Sequence, residues 1–475
     1  MKKINPIIQL LLLLSGFCAC SPLKNTQLPP AAAMPAAYAG NADSLSSGAM
    51  PWKDYFADKM LISLIDTALL HNWDILMAVQ RLSAAKADLL QGKSALAPTV
   101  NAVLNAGINK YGDYTMDGAG NKGTKIYDGK NIPVHLPDFF AGFQSSWEVD
   151  LWGKLRSRKK AAAARFLSSA EGRNMVITGV VAETASAYYE LLAHEQTLKI
   201  ITETISVQEK ALEIVRIQKE TAVTNELAVK QFEAQLLHLK SMRFETLQQI
   251  VQTENRINFL AGRYPQPFDR DSLSFSSSFM QPVKTGIPSA LLQYRPDIRQ
   301  ASFELLASKA DLAAARAAFY PSLTINGYIG MQAFKPGLLF TTPESIAYGL
   351  LGSLAAPLVN RAAIKAGFTR ANARQLEALY HYQKTIVNGF AEVSNEMMRI
   401  KNLQQAAELK TIETGVLLQG IDISKELFRT GRASYLEVLI TQQTALQARL
   451  QLVSMKKERL LTYVHLYKAL GGGWQ

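Results

Sequence analysis

Apolar and polar positions along this chain follow two periods that alternate twice. After Pro98, the residues Val100, Ala102, Leu104, Ala106 and Ile108 fall on every second position, with Asn101, Val103, Asn105 and Gly107 between them. After Pro321, Leu323, Ile325, Gly327, Ile329 and Met331 alternate in the same way with Thr324, Asn326, Tyr328, Gly330 and Gln332. Period two with one apolar and one polar face predicts β-strands. Phe139–Val149 and Ser345–Leu354 are the predicted return strands. Elsewhere the period is helical. No proline interrupts Arg158–Lys219 or Ala363–Arg429, and sixty helical residues make a rod of roughly 90 Å. Ile386, Phe390, Val393, Met397 and Ile400 keep a 4-3-4-3 spacing. Leu446, Leu450, Val453, Leu460, Val464 and Tyr467 fit a similar seam, interrupted by Lys457. Both seams suit packing between neighbouring rods.

The two halves are copies of one unit. His71–Pro98 aligns without a gap on Tyr294–Pro321 at an offset of 223, matching Asp74 to Asp297, Lys86-Ala87-Asp88-Leu89 to Lys309-Ala310-Asp311-Leu312, and Pro98 to Pro321. The remainder aligns at an offset near 209, with Ala182-Glu183 on Ala391-Glu392, Thr221 on Thr430 and Leu227 on Leu436. Leu260-Ala261-Gly262 then falls on Leu470-Gly471-Gly472 with a slip of one residue. An internal repeat decides the architecture before any single motif does. The predicted units are residues 56–265 and 285–475, joined by a Pro/Ser/Phe-rich linker at 266–284. Each reads as helix, strand, loop, strand, long helix, turn, long helix.

The first residues are a targeting segment. Lys2 and Lys3 precede the apolar run Ile7–Leu14, which is too short to cross a bilayer as a helix. Phe17-Cys18-Ala19-Cys20-Ser21 follows, and a small residue before Cys20 resembles a lipobox. The expected division is a signal peptide at 1–19 and a lipid-anchored, extended segment at 20–55, with Ser21 favouring outer-membrane sorting. Cys18 and Cys20 are the only cysteines, so the processed chain holds no thiol for a disulfide or a Cys-based metal site. Hydrophobic content of 48% provides for a core, and the net charge of +12 is scattered along helical faces among Glu and Gln. Solvated helix surface accounts for it without nucleic acid.

Segments of 9 to 11 alternating residues suit tilted transmembrane strands. Four strands cannot close a barrel, and an open edge in lipid leaves backbone groups unsatisfied. If these strands cross a membrane, several chains must share one barrel.

At Arg295-Pro296-Asp297-Ile298, Phe319-Tyr320-Pro321-Ser322, Asp150-Leu151-Trp152-Gly153-Lys154 and Leu466-Tyr467-Lys468-Ala469-Leu470-Gly471-Gly472-Gly473-Trp474 the chain resembles the TolC-like outer membrane factors, and in particular their lipoprotein branch. The resemblance runs from Trp52 onward. It implies a fold of α and transmembrane β structure, in which a homotrimer forms a twelve-stranded β-barrel joined to a long periplasmic α-helical barrel. It further implies an outer membrane location with an extension into the periplasm, and a passive efflux duct for small molecules. Its partners would be a periplasmic adaptor protein, an inner-membrane resistance–nodulation–division pump and outer membrane lipid. A protein secretion duct is the alternative within the class, and a periplasmic coiled-coil scaffold the alternative outside it.

The resemblance places adaptor docking at the hairpin tips, Thr221, Ala222, Val223 and Thr224 in the first repeat and Gly431, Arg432, Ala433 and Ser434 in the second. The first tip lacks the glycine and carries Ala228 where an acidic residue is common. Glu226, Asp422 and Glu437 are candidates for a charged gate ring. No catalytic residue, metal site or cofactor is expected, apart from the covalent lipid on Cys20. The six histidines show no His-x-x-x-His pair. Gly118-Ala119-Gly120-Asn121-Lys122-Gly123 matches a dinucleotide-binding spacing but lacks the strand before it and the helix after it. An outward loop is the expectation there, and Met397-Met398 belongs to the helical seam.

Overall fold

The structure is a computed structural model that describes residues 34–38, 46–126, 129, 131–267, 284–357 and 361–475. Cys20, the signal peptide and most of the 266–284 linker lie outside the described residues. The elements run α1 (Lys59–His71), α2 (Trp73–Ser94), β1 (Thr99–Asn109), α3 (Met116–Gly123), β2 (Leu136–Val149), α4 (Lys154–Glu220) and α5 (Glu226–Leu260) in the first half. The second half runs α6 (Pro296–Ala317), β3 (Ser322–Ala333), β4 (Ile346–Ala355), α7 (Ala362–Arg429) and α8 (Tyr435–Ala469).

The repeat is carried down to element ends. Shifting α2 and β1 by 223 places their first residues on those of α6 and β3, and shifting the end of α4 and both ends of α5 by 209 gives those of α7 and α8. The first inter-strand loop, 110–135, is fourteen residues longer than the second, 334–345. That difference accounts for the change of offset. The slip expected at the C-terminal ends is absent. Gly262 and Gly471 are equivalent at 209, and both hold positive φ, 68° and 90°. Each ends its helix with the same pair of bonds, Gly262 N–H to Phe259 O and Arg263 N–H to Asn258 O, against Gly471 N–H to Lys468 O and Gly472 N–H to Tyr467 O. This is a Schellman stop, which favours glycine at the left-handed position.

The four strands form one antiparallel sheet in sequence order, with β1 and β4 at its edges. β2 starts three residues before its predicted start, and β4 ends one residue beyond its predicted end. Below the sheet, α2, α4, α6 and α7 lie side by side in that order as a wall one helix thick. Farther down, α4 pairs with α5 and α7 with α8 as two long hairpins. α4 and α7 have 67 and 68 residues, or about 100 Å each at 1.5 Å per residue. Among the described residues no single helix is long and apolar enough to cross a membrane.

The core sits where α1 and the ends of α5 and α8 meet α4, and it buries Leu61, Ile65, Tyr188, Leu191, Leu192, Ile257 and Val464. Tyr55 stacks on Tyr467 at 4.0 Å, and their hydroxyls donate to the Tyr463 and Met50 carbonyls at 2.9 and 2.6 Å. The described residues just before α1 are held by such aromatics. Tyr38 is buried against Phe390 of the predicted α7 seam at 5.1 Å. The glycine-rich stretch expected as loop forms α3 instead, because Thr115 caps it by accepting the Gly118 N–H at 3.1 Å.

Candidate functional site

The register sorts the sheet into two chemically distinct faces. Leu104, Ala141, Met331 and Ile346 lie in one row across the four strands, as do Ala102, Phe143, Ile329 and Tyr348. Those rows belong to a continuous apolar face. The opposite face carries Asn101, Asn105, Asp138, Gln144, Ser146, Thr324, Asn326, Gln332 and Ser353. Its polar groups bond across strands, Ser146 to Asn326 at 2.8 Å and Gln332 to Asp138 at 2.9 Å. Leu104 is 85% and Leu350 82% exposed on the apolar face. A leucine kept in water forgoes about 1.5–3 kcal/mol, so a face made of such residues requires lipid against it. On the polar side, Phe140 lies edge-on to Tyr328 at 5.9 Å, over Gly142 and Gly330. A Cβ on either glycine would sit 2.9 Å from the Phe140 ring and 2.4–2.5 Å from the neighbouring strand's carbonyl. Both positions therefore need glycine.

Two motifs that carried the family resemblance meet where strands become helices. Asp150 accepts the Leu155 and Arg156 N–H groups at 3.0 and 2.8 Å and the Arg156 guanidinium at 3.1 Å. Partial burial opposes its charge, but these donors together hold the carboxyl below its ordinary pKa. Gly153 turns the chain at φ 76°. Trp152 then stacks on Tyr320 at 4.9 Å and donates to the Pro321 carbonyl at 2.7 Å. Both rings are half exposed at the sheet's base, the position of an interfacial aromatic belt.

The other two motifs close on each other. Arg295 is 6% exposed, and its guanidinium binds Asp297 in a fork at 3.0 and 2.6 Å, Glu392 at 2.7 Å and the Ala469 carbonyl at 2.9 Å. Burial works against the charge, and the two carboxylates outweigh it and keep the group protonated. Trp474 donates to the Tyr294 carbonyl at 3.1 Å and lies over Arg299. One arginine thus ties the start of α6, the middle of α7 and the end of α8. Sequence reasoning marked these residues as family features and missed that they form one clasp. The signal was a lone Arg-Pro-Asp at a helix start with no solvent-facing reason for its charge.

The hairpin tips are the farthest points from the sheet. Ala222 holds φ 57°, the left-handed conformation that Gly431 holds at 72° in the second tip. Val223 and Thr224 N–H both reach the Gln218 carbonyl, as Arg432 and Ala433 reach that of Leu427. The geometry of the missing glycine is preserved with alanine in its place. Asn225 caps α5 by accepting the Ala228 N–H at 3.1 Å. Ser434 and Glu437 form a capping box on α8.

The three acidic candidates differ in their commitments. Glu226 is hydrogen-bonded and ion-paired with Lys219 across the turn, which lowers its pKa. Glu437 accepts the Ser434 N–H at 2.5 Å and its hydroxyl at 3.0 Å, which lowers its pKa. Asp422 is 85% exposed, with Lys425 3.9 Å away. The first two serve the local turn.

Comparison with known proteins agrees with this geometry. The family model described as outer membrane efflux protein matches residues 64–263 and 287–472, one segment in each repeat. The pyoverdine export outer membrane protein OpmQ of Pseudomonas aeruginosa is 30% identical over 482 residues, covering 100% of this chain and 98% of OpmQ. The probable outer membrane lipoprotein SilC of Salmonella typhimurium is 27% identical, covering 89% and 88% of the two chains. In fold, the open-state MtrE outer membrane channel of Neisseria gonorrhoeae superposes with a TM-score of 0.82 at 24% identity, covering 95% of this chain and 98% of MtrE. With both repeats matched and a relative aligned end to end, the chain belongs to the outer membrane efflux protein family.

Proposed function

We propose that three copies of this chain close a twelve-stranded barrel over a helical tunnel, and that the trimer passively conducts small molecules, whether drugs, toxic compounds or metal ions, out of the cell. The observation that carries this is a two-faced sheet of four strands with both edges unpaired among the described residues. Two copies would give eight strands, whose interior side chains fill. Three copies are the smallest number that leaves a lumen. The lumen is then lined mainly by the amides and hydroxyls of the polar face, with the Asp138 carboxylate engaged by Gln332, a lining that suits many solutes without holding one. The wall of four helices per chain becomes twelve.

The tips 221–224 and 431–434 are the docking points for a periplasmic adaptor, which couples the tunnel to an inner-membrane resistance–nodulation–division pump. Among the gate candidates, Asp422 is largely exposed and, among the described residues, is held only by a 3.9 Å ion pair with Lys425, which suits it to join a charged ring. Cys20 carries lipid that anchors the chain in the outer membrane. Cys20 lies eighteen positions before Tyr38, a reach of at most about 65 Å. Tyr38 packs near the start of α6, whose 22 residues rise about 33 Å to the sheet. The anchor has chain to spare.

Native and intact mass measurement of the detergent-extracted protein tests the assembly and the anchor together. Three chains, each beginning at residue 20 with acyl groups attached, is the expected result. A monomer overturns the shared barrel, and an unlipidated N-terminus overturns the anchor.

A further inference from the structure

The internal repeat fixes more than the fold of one chain, because it also prescribes how the next copy attaches. In the wall α2–α4–α6–α7, the α2–α4 seam in the first repeat has its counterpart in α6–α7 in the second. The α4–α6 seam joins the two repeats and has no counterpart inside the chain. Its equivalent can form only between α7 and α2 of another copy. The same holds for the sheet, where β2–β3 has its equivalent in β4 against another copy's β1.

The two offsets translate one seam into the other, residue by residue. Arg165 on α4 pairs with Asp311 on α6. Adding 209 to the first and subtracting 223 from the second gives Arg374 on α7 and Asp88 on α2, the same two residue types. Both are exposed, and neither makes an ion pair among the described residues. Arg374 borders the groove that holds Asp311, whose carboxylate Arg165 occupies. The neighbouring link in the template is Glu171 with Arg299 at 2.6 Å. It translates to Tyr380 and Leu76, which are 54% and 43% exposed in one chain. An ion pair inside the protomer becomes an apolar contact between protomers, and two bare side chains find cover.

We propose that the subunit seam repeats the α4–α6 seam, with Arg374 paired to the partner's Asp88 and Tyr380 packed on the partner's Leu76. The β2–β3 register carries over in the same way. Gln144–Tyr328 becomes Ser353 opposite the partner's Asn105, and Ser145–Gly327 becomes Leu354 opposite the partner's Leu104. The translation keeps Leu354 and Leu104 on the apolar face and Ser353 and Asn105 on the polar one, as a barrel with one lipid side requires. A register one residue off would break that match along the whole strand.

The inference rests on the trimer reading, and the test separates the two. Cysteines replacing Asn105 and Ser353 are introduced together into the full chain, and mild oxidation is followed by denaturing electrophoresis. Covalent dimers and trimers are expected from this pair. The control pair Asn105→Cys with Leu351→Cys, displaced by two residues, should link at least tenfold less. A trimeric native mass with linking favoured at the control pair overturns the register and leaves the trimer standing. A monomeric mass overturns the trimer itself. For the helix seam, Arg374→Asp and Asp88→Arg each lower the temperature at which the trimer dissociates in detergent, and the double exchange restores it. Two single variants that leave dissociation unchanged, or a double variant no better than either single, would remove the ion pair from the seam.

Discussion

The two tips share one backbone turn but fill its left-handed position with alanine in one and glycine in the other, and that difference sets a measurable local stability. Ala222 keeps a left-handed conformation that costs an L-residue about 1–2 kcal/mol. Ala222→Gly removes that cost and adds unfolded-chain entropy worth about 0.4–1 kcal/mol in the other direction. The net gain for the first tip is about 0.5–1 kcal/mol. Gly431→Ala runs the same exchange in reverse in the second tip, where nothing lies within 4 Å of the added Cβ. Strain alone is then measured, with no clash. Both changes act on amides whose partners are known, Val223 and Thr224 on the Gln218 carbonyl and Arg432 and Ala433 on that of Leu427. Amide hydrogen exchange of the detergent-solubilised protein should slow about two- to fivefold at the first pair in Ala222→Gly. It should quicken by a similar factor at the second pair in Gly431→Ala. Unchanged protection in both variants, or slower exchange in Gly431→Ala, would show that backbone strain does not set the stability of the tips.

Replacing Arg295 by Met leaves Asp297 and Glu392 without their shared cation. Water still reaches both carboxylates, so the cost is that of the lost charge-assisted hydrogen bonds, about 1–3 kcal/mol. Thermal unfolding should show a lower midpoint, while an unchanged midpoint would deny the clasp its role. Gly142→Val forces a side chain into the backbone of β3 and should abolish the assembled oligomer on native gels. Gly352→Ala, which meets nothing within 4 Å, should leave the oligomer intact. The pKa of Glu437 is depressed by the Ser434 N–H and hydroxyl, so its stabilisation of the α8 start is full above the ordinary carboxylate range near pH ~4.3 and is lost as pH falls through the lower, folded value. A spin label at Arg432 should become more mobile over that acid window, and Glu437→Gln should flatten the dependence.

Much of the architecture was written in local pattern. The prolines at 98 and 321 end helices that stop at Ser94 and Ala317, and the alternation after them is the observed pairing face. Both follow from short-range sterics and period, which a sequence displays. The fourteen-residue change of offset was visible as two numbers, and the structure shows it to be one loop. The clasp at Arg295 was illegible because its partners, Glu392 and the Ala469 carbonyl, lie 97 and 174 residues away. For Glu226 and Glu437 a sequence shows the charge and hides its local partners. Lys219 and Ser434, which engage them, sit beside them only once the turn closes. The formation of α3 depends on one cap at Thr115, and a glycine-rich stretch gives little other helical signal.

In the proposed trimer, the polar face of the sheet and the hairpins below it enclose one continuous water-filled path. Single-channel recording of the purified protein in a planar bilayer, with its mass measured in parallel, addresses this directly. The expected result is a trimer that gives discrete, mostly closed openings. A stable monomer with no conductance under any gating condition would contradict the shared barrel and leave the two-faced sheet without a function.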